Sequence, residues 1–278
     1  MPTITEKRAT FRKLHESGCF VIPNPWDIGT ARYLQHLGFK ALASTSAGFA
    51  FAQGRPDNAV PRDMMLAHLR ELVEATDLPV NADFENGYAH EPDGVAESVR
   101  LCVATGVAGL SIEDSTGDKD KPLYELDLAV ARIKAARAAI DKAGGDVMLV
   151  GRAECFLVGR PDLEETNRRL KAYSAAGADC LYAPGIRTRE QIAAVVEAVA
   201  PKPVNVLIGA PGHTVADLAA LGVRRISVGG SLARAAWGGF LRAAKQLANE
   251  GRFDAFADAA SHPETNAFFR DDLKNRSP

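Results

Sequence analysis

The segment VNADFENGYAH, residues 80–90, places an amide and two carboxylates at alternate positions: Asn81, Asp83 and Glu85. The apolar lead-in Leu78-Pro79-Val80 reads as the start of a buried strand. Alternation along a strand puts residues i and i+2 on one side. Asn81 and Asp83 are therefore expected to point the same way, with Glu85 close by if the backbone continues or bulges. Carboxylates sharing a site cannot all stay ionised without a positive partner. The loop QGRPDNAVP carries Asp57, and further acids stand at the ends of other apolar runs: Glu113 and Asp114 in AGLSIED, and Glu154 beside Arg152 in LVGRAECF. A mouth formed by Asp83, Glu85 and Glu113, with Asn81 beside them, offers hard oxygen donors, which suit Mg²⁺ or Mn²⁺ better than zinc. The forked guanidinium of Arg152 suits a substrate carboxylate.

Several of these residues also have plain structural readings. Asp27 is placed to cap a helix. Asp57 is a turn residue in a Gly/Pro loop. Arg152 can pair with Glu113 or Asp83, Asp114 reads as loop chemistry, and His213 as a cap or surface residue. No HExxH, GxSxG or Ser-His-Asp order occurs, and no histidines form a metal pair.

The elements that must position these groups follow a repeat of roughly 30 residues, in which a short apolar run precedes an Ala/Leu/Glu/Arg-rich helical stretch. Strands are predicted at 19–23, 40–44, 79–82, 108–112, 146–150, 179–182, 203–207 and 225–228. Helices are predicted at 27–37, 62–75, 92–105, 126–143, 163–176, 188–199, 214–221 and 231–249. The phrases HLGFKA, ATGVAG, AAGADC and ALGVRR each put a glycine just past a helix, where a left-handed cap belongs. Eight such pairs point to one α/β domain over 1–278, a (β/α)8 TIM barrel with its chemistry at the C-terminal strand ends. An open doubly wound sheet is disfavoured because PNPWDIG, after the first strand, is no GxGxxG. The tail, about 250–278, carries Phe253, Phe256, Phe268 and Phe269 among polar residues and reads as an oligomerisation segment.

The 278 residues carry a formal net charge of −2, which gives no reason to expect a nucleic-acid or acidic-membrane partner. No apolar run is long enough to span a bilayer, and the polar opening MPTITEKRATFRKLHESG gives no sign of a secretory signal. A cytoplasmic location is expected. Cys19, Cys102, Cys155 and Cys180 are irregularly spaced and read as small buried thiols rather than disulfides.

STSAG, RPDN, NADFENGY, SIED and VGRAECF occur in an order that resembles the isocitrate lyase/phosphoenolpyruvate mutase superfamily, over about residues 10–245. The resemblance implies a (β/α)8 barrel that binds a small 2-oxo acid or its enolate with Mg²⁺ and breaks or forms C–C or P–C bonds. It also implies a homo-oligomer, dimer or tetramer, with C-terminal helices exchanged between subunits. By position, Thr45, Ser46 and Ala47 resemble the segment that holds the substrate carboxylate through backbone N–H groups. Asp57, Asp83 and Glu113 resemble the outer carboxylates, and Arg152 the substrate-binding arginine. The position of the family's direct metal ligand holds Asn81, and Glu85 stands ready to restore the missing charge. Ser231 occupies the place after the eighth strand where decarboxylase members carry a histidine. The loop DSTGDKDKPLYE, residues 114–125, lacks the cysteine of isocitrate and methylisocitrate lyases and reads as a lid. The resemblance thus implies a lyase or decarboxylase other than those two, with Arg152, Glu113 and Asp57 catalytic. A phosphonate mutase or hydrolase, and a barrel that binds a 2-oxo acid without turning it over, remain the alternatives.

Overall fold

The computed structural model describes residues 2–276, and the chain divides into two compact units, residues 2–230 and a second from Ser231 onward. In the first unit, eight parallel strands run β1 (Phe20–Ile22), β2 (Leu42–Ala43), β3 (Val80–Asp83), β4 (Gly109–Glu113), β5 (Met148–Arg152), β6 (Cys180–Tyr182), β7 (Val204–Leu207) and β8 (Arg225–Ser227). Their order, β1-β8-β7-β6-β5-β4-β3-β2, leaves a single seam between β1 and β2. There the Ala43 N–H donates to the Pro23 carbonyl at 3.0 Å, so the sheet closes into the expected (β/α)8 barrel. Nine helices accompany it: α1 (Ile4–Leu14), α2 (Ile28–His36), α3 (Ser46–Ala52), α4 (Arg62–Ala75), α5 (Pro92–Val103), α6 (Leu126–Lys142), α7 (Leu163–Ala175), α8 (Arg189–Val199) and α9 (Val215–Ala220). In the second unit, α10 (Ser231–Glu250), a 3₁₀ turn (Asp254–Asp258) and α11 (His262–Asn275) follow one another.

Alternation decides which side chains face the helices. Ala82, Leu110, Ile112, Leu149, Leu181, Val206 and Ile226 all join the main apolar core. Their neighbours Asp83, Ser111, Arg152, Tyr182, Asn205 and Ser227 face the other way and line a cavity. At Gly106 and Gly177, φ values of 91° and 104° show the left-handed caps that the repeated phrases predict.

Two helices of this unit escaped the periodicity. The first, α1, packs Phe11 against Ile22, Ala43, Ala108 and Met148. Lys7 donates to the carbonyls of Val73 and Thr76, and Arg8 to those of Val103 and Val107. Its signature was a capping box, Thr3 with Glu6 three residues on. The second, α3, makes Thr45 a helix cap whose hydroxyl accepts from Gly48, so Thr45-Ser46-Ala47 is a helix start rather than a loop. Asp27 caps α2, bonded to Thr30. Thr214, not His213, caps α9, while the His213 ring contacts the Arg187 carbonyl at 2.8 Å.

The second unit keeps large apolar side chains at its surface. Phe240 and Phe253 are 59% and 62% exposed. No helix is long and apolar enough to cross a membrane among the described residues.

A single amide pins the barrel seam. Asn24 is buried; its Nδ2 donates to the Ser44 carbonyl and its Oδ1 accepts from Val228 and Gly229. Asn24→Ala strands three backbone groups in the interior. Thermal melting of this variant is expected to show a loss of about 2–4 kcal/mol, at roughly 1–3 kcal/mol per buried unsatisfied group with partial relaxation.

Candidate active site

The cavity opens at the C-terminal strand ends and has a volume of about 180 Å³. That is many times the roughly 10–15 Å³ of probe-occupied volume that one water needs, and leaves room for a short organic acid. Its wall brings together Thr45, Ser46, Ala47, Asp57, Asn81, Asp83 and Arg152 of the predicted site residues, whereas Glu85 and Glu113 do not line it; β4 contributes Ser111 instead.

Arg152, at the end of β5, is the centre of the arrangement. Its guanidinium meets Asp83 at 3.1 Å, Glu113 at 3.2 Å and Glu154 at 2.5 Å, and lies over the Tyr182 ring at 5.2 Å. β5 delivers it because Glu113 and Arg152 are register partners across β4 and β5. Asp83 uses both oxygens: one accepts from Arg152, the other from the Ser46 backbone N–H at 2.9 Å. The Asp83 N–H in turn donates to Ser44 Oγ at 2.8 Å. Glu154 joins the cluster from just beyond the strand, held by its own N–H on Asp114.

After Asp83 the backbone turns sharply. Phe84 stays buried, Glu85 takes φ = 47°, and Gly87 and Tyr88 follow at 76° and 57°. A left-handed glutamate is strained; here the Tyr88 hydroxyl donates to its Oε1 at 3.1 Å, and its carbonyl accepts the Glu113 N–H. Gly87 is required because a Cβ would approach Ile112 and Val95 to 3.2 and 3.3 Å in a left-handed backbone. Arg132 fixes the segment from outside by donating to the carbonyls of Asn86, Ala89 and His90. Glu85 therefore does not continue the alternation; it is buried behind Asp83.

The electrostatics follow from five acids around one arginine. Burial pushes the Glu85 carboxyl up to about 7, helped by the charge of Asp83. Burial also raises Glu113 and Glu154, and Arg152 only partly offsets it. Asp57 is raised by desolvation and by Asp83, against a bond from Ser46. The acids hold Arg152 well above its ordinary value despite its burial. Tyr182 is pushed up to about 12, first by burial.

The acid surplus bears on the expected metal. Among the described residues, no three His, Cys, Asp or Glu side chains already converge as a cation cage. The donor chemistry suits a hard ion all the same, because Asp57 and Asp83 on the cavity wall, with Glu85 and Glu113 buried beside them, offer carboxylate oxygens and no nitrogen or sulfur. Asn81 stands apart from this set. Its Oδ1 lies below the mouth, 3.4 Å from Arg225. Ser231 opens the second unit, where its hydroxyl accepts from Arg234. Asp114 is a buried hub, bonded by Arg169 and Tyr173, and anchors the start of loop 114–125. A bridge between Ser115 and Leu123 and the Tyr124 N–H on the Asp114 carbonyl close that loop.

Asn205, expected from the seventh strand, lines the cavity, but reading the strand ends missed Arg225 and Ser227, which also line it. The signal was present in VRRISV, where charged residues and a serine interrupt an apolar run.

Comparison with known proteins matches residues 11–248 to the phosphoenolpyruvate phosphomutase family model. A crystal structure from Burkholderia cenocepacia J2315, itself only provisionally assigned as a lyase or mutase, superimposes with a TM-score of 0.91 at 50% identity over 96% of both chains. An oxaloacetate decarboxylase from Paraburkholderia xenovorans is 32% identical over 80% of this chain and 74% of its own. A phosphonopyruvate hydrolase solved with oxalate and Mg²⁺ is similar at 25% identity and a TM-score of 0.84, over 96% of both chains.

The raised Glu85 sets a pH dependence. Folding favours its protonated form, so its contribution is present below its ordinary 4.5 and is lost as pH rises through about 7. Chemical denaturation of the metal-free protein is expected to show stability falling between these values. Glu85→Gln should flatten that slope; an unchanged slope would assign it to the other acids.

Proposed function

The chain belongs to the phosphoenolpyruvate mutase/isocitrate lyase superfamily, and we propose that it cleaves or forms the bond next to the carbonyl of a short 2-oxo acid, as a carbon–carbon lyase or decarboxylase. The observation that carries this reading is Arg152, a cavity-facing guanidinium held between Asp83, Glu113 and Glu154 at the strand ends.

Arg152 binds the substrate carboxylate by exchanging part of its bonding to Asp83 and Glu113. The acids keep it charged and aimed, so little reorganisation accompanies binding. Ser46 and Ala47, at the start of α3, take the carboxylate's other side. Breaking the bond between the α-carbon and its substituent releases the substituent as CO₂ or a carbonyl compound and leaves the electron pair on the α-carbon, delocalised onto the carbonyl oxygen as an enolate, and a proton from water or a neutral acid quenches it at the α-carbon. Glu113, buried and favouring its protonated form beside Arg152, is the acid suited to that step, with Asp57 at the rim. Mg²⁺ or Mn²⁺, when bound among Asp57, Asp83, Glu85 and Glu113, supplies further stabilisation of the negative charge. Loop 114–125 closes over the site as a lid without a lyase cysteine, so isocitrate and 2-methylisocitrate are not substrates. The protein works in the cytoplasm as a homo-oligomer, dimer or tetramer, whose second copy covers the aromatic surface of about residues 250–278.

Two rival readings have their own support. The phosphonopyruvate hydrolase likeness favours a P–C substrate. Asn81, bonded toward Arg225 where the family keeps its direct metal ligand, favours binding without turnover.

Turnover of 2-oxo acids, phosphonopyruvate and isocitrate, with and without Mg²⁺, separates these readings. A 2-oxo acid is expected to turn over, isocitrate is not, and Arg152→Ala should lower kcat/KM about 100-fold, in line with roughly 1.5–3 kcal/mol per charge-assisted bond. Arg152→Lys should recover little, because an ammonium has three donors and no planar fork, too few to keep three carboxylates and still bind a substrate carboxylate through two bonds. Unchanged kcat/KM in Arg152→Ala would sink this reading.

A further inference from the structure

Below the mouth, the barrel interior is polar where such barrels are ordinarily filled by branched aliphatic side chains. Ser44, Ser111 and Ser227 line the cavity one level down, each with at most 7% exposure. Their small hydroxyl side chains leave a shaft. At its floor lies Arg225, on β8, 3% exposed and also part of the cavity wall.

The bonding of Arg225 is unusual for a buried charge. Its Nε donates to Asn205 Oδ1 at 2.8 Å; Nη1 lies 3.4 Å from Asn81 Oδ1 and 3.5 Å from His15 Nε2. None of these partners carries a negative charge. His15 is held neutral, its ring lowered to about 3 by burial first and then by Arg225 itself. No carboxylate pairs with Arg225 among the described residues. Buried charges are normally paired, because desolvation of an isolated ion costs several kcal/mol. The other cavity-lining arginine obeys this rule: Arg152 has three carboxylates. The amides around Arg225 are also held in place. Asn205 Nδ2 donates to Ser227 Oγ at 2.9 Å, which fixes its oxygen toward Arg225. Gly109 leaves room for Asn81, since a Cβ there would come within 2.6 Å of its Oδ1.

We propose that Arg225 forms a second anion-binding point at the floor of the cavity, taking a carboxylate carried by the same ligand whose first carboxylate is held at the mouth. The inference rests on the proposed function for the occupant of the mouth. The floor then selects short diacids over monoacids: one end pairs with Arg152, while the other passes the serines and supplies the counter-charge that Arg225 lacks. The cavity volume of about 180 Å³ accommodates such a molecule.

Malonate and acetate, neither of them a 2-oxo acid, test the floor apart from the reaction. In calorimetry on the full-length protein with Mg²⁺ at fixed ionic strength, malonate is expected to bind at least tenfold tighter than acetate. Arg225→Gln should erase that advantage while leaving acetate affinity unchanged, and Arg225→Lys should keep part of it. Ser111→Val, which narrows the shaft without touching the arginine, should erase it as well and serves if Arg225→Gln does not fold. Equal affinity for the two anions in the unaltered protein, or an advantage that survives in Arg225→Gln or in Ser111→Val, overturns the proposal. Turnover of a 2-oxo acid without a malonate preference overturns the floor subsite alone. A malonate preference without turnover keeps the subsite and sinks the reaction.

Discussion

The site depends on one guanidinium taken out of water together with more negative charge than it can neutralise. Desolvating Arg152 costs free energy that only close carboxylates offset, and desolvating those carboxylates costs as much again. Two of the acids have a further support: Asp83 from the Ser46 N–H and Glu85 from the Tyr88 hydroxyl. The remaining imbalance is carried by raised carboxyl groups at Glu85, Glu113 and Glu154. Arg152 is thereby held charged and facing the cavity.

The barrel makes this arrangement with very short strands. β2 has two residues and β1, β6 and β8 three each, so nearly every strand residue is either core or cavity wall. The helices enclose the sheet with ordinary apolar packing, which lets the inner positions carry amides, serines and arginines. The loop that follows β3 departs from regular backbone at Glu85, Gly87 and Tyr88. Arg132 holds it through three carbonyls, so the departure is kept in place by hydrogen bonds rather than by apolar burial alone.

Strand and helix positions were legible because each apolar run is bounded by glycine or a cap, and the structure moves the strand limits by at most two residues. The mouth residues Asp83, Glu113 and Arg152 were legible because charge at the end of an apolar strand has few other uses. What escaped was of two kinds. The helix α1 lies outside the repeat and is specified by a capping box instead of a strand partner. Arg225 lies at the start of its strand, not the end, and only its long side chain brings it into the cavity. Asn81 was expected at the mouth with Asp83, and strand alternation does place both on the cavity wall. The depth difference of one layer, which turns Asn81 toward Arg225, is invisible to a period of two.

The first helix has a consequence for how the molecule can be handled. Phe11 and His15 form the underside of the chamber that Arg225 occupies, and Lys7 and Arg8 latch onto carbonyls between residues 73 and 107. α1 is made early in synthesis, yet its docking sites emerge only after several strand–helix pairs have been built. It waits as a stopper for a vessel still under construction. Trimming or fusing at this end would act like opening a drain, admitting water to the base of a chamber whose entrance lies on the opposite side.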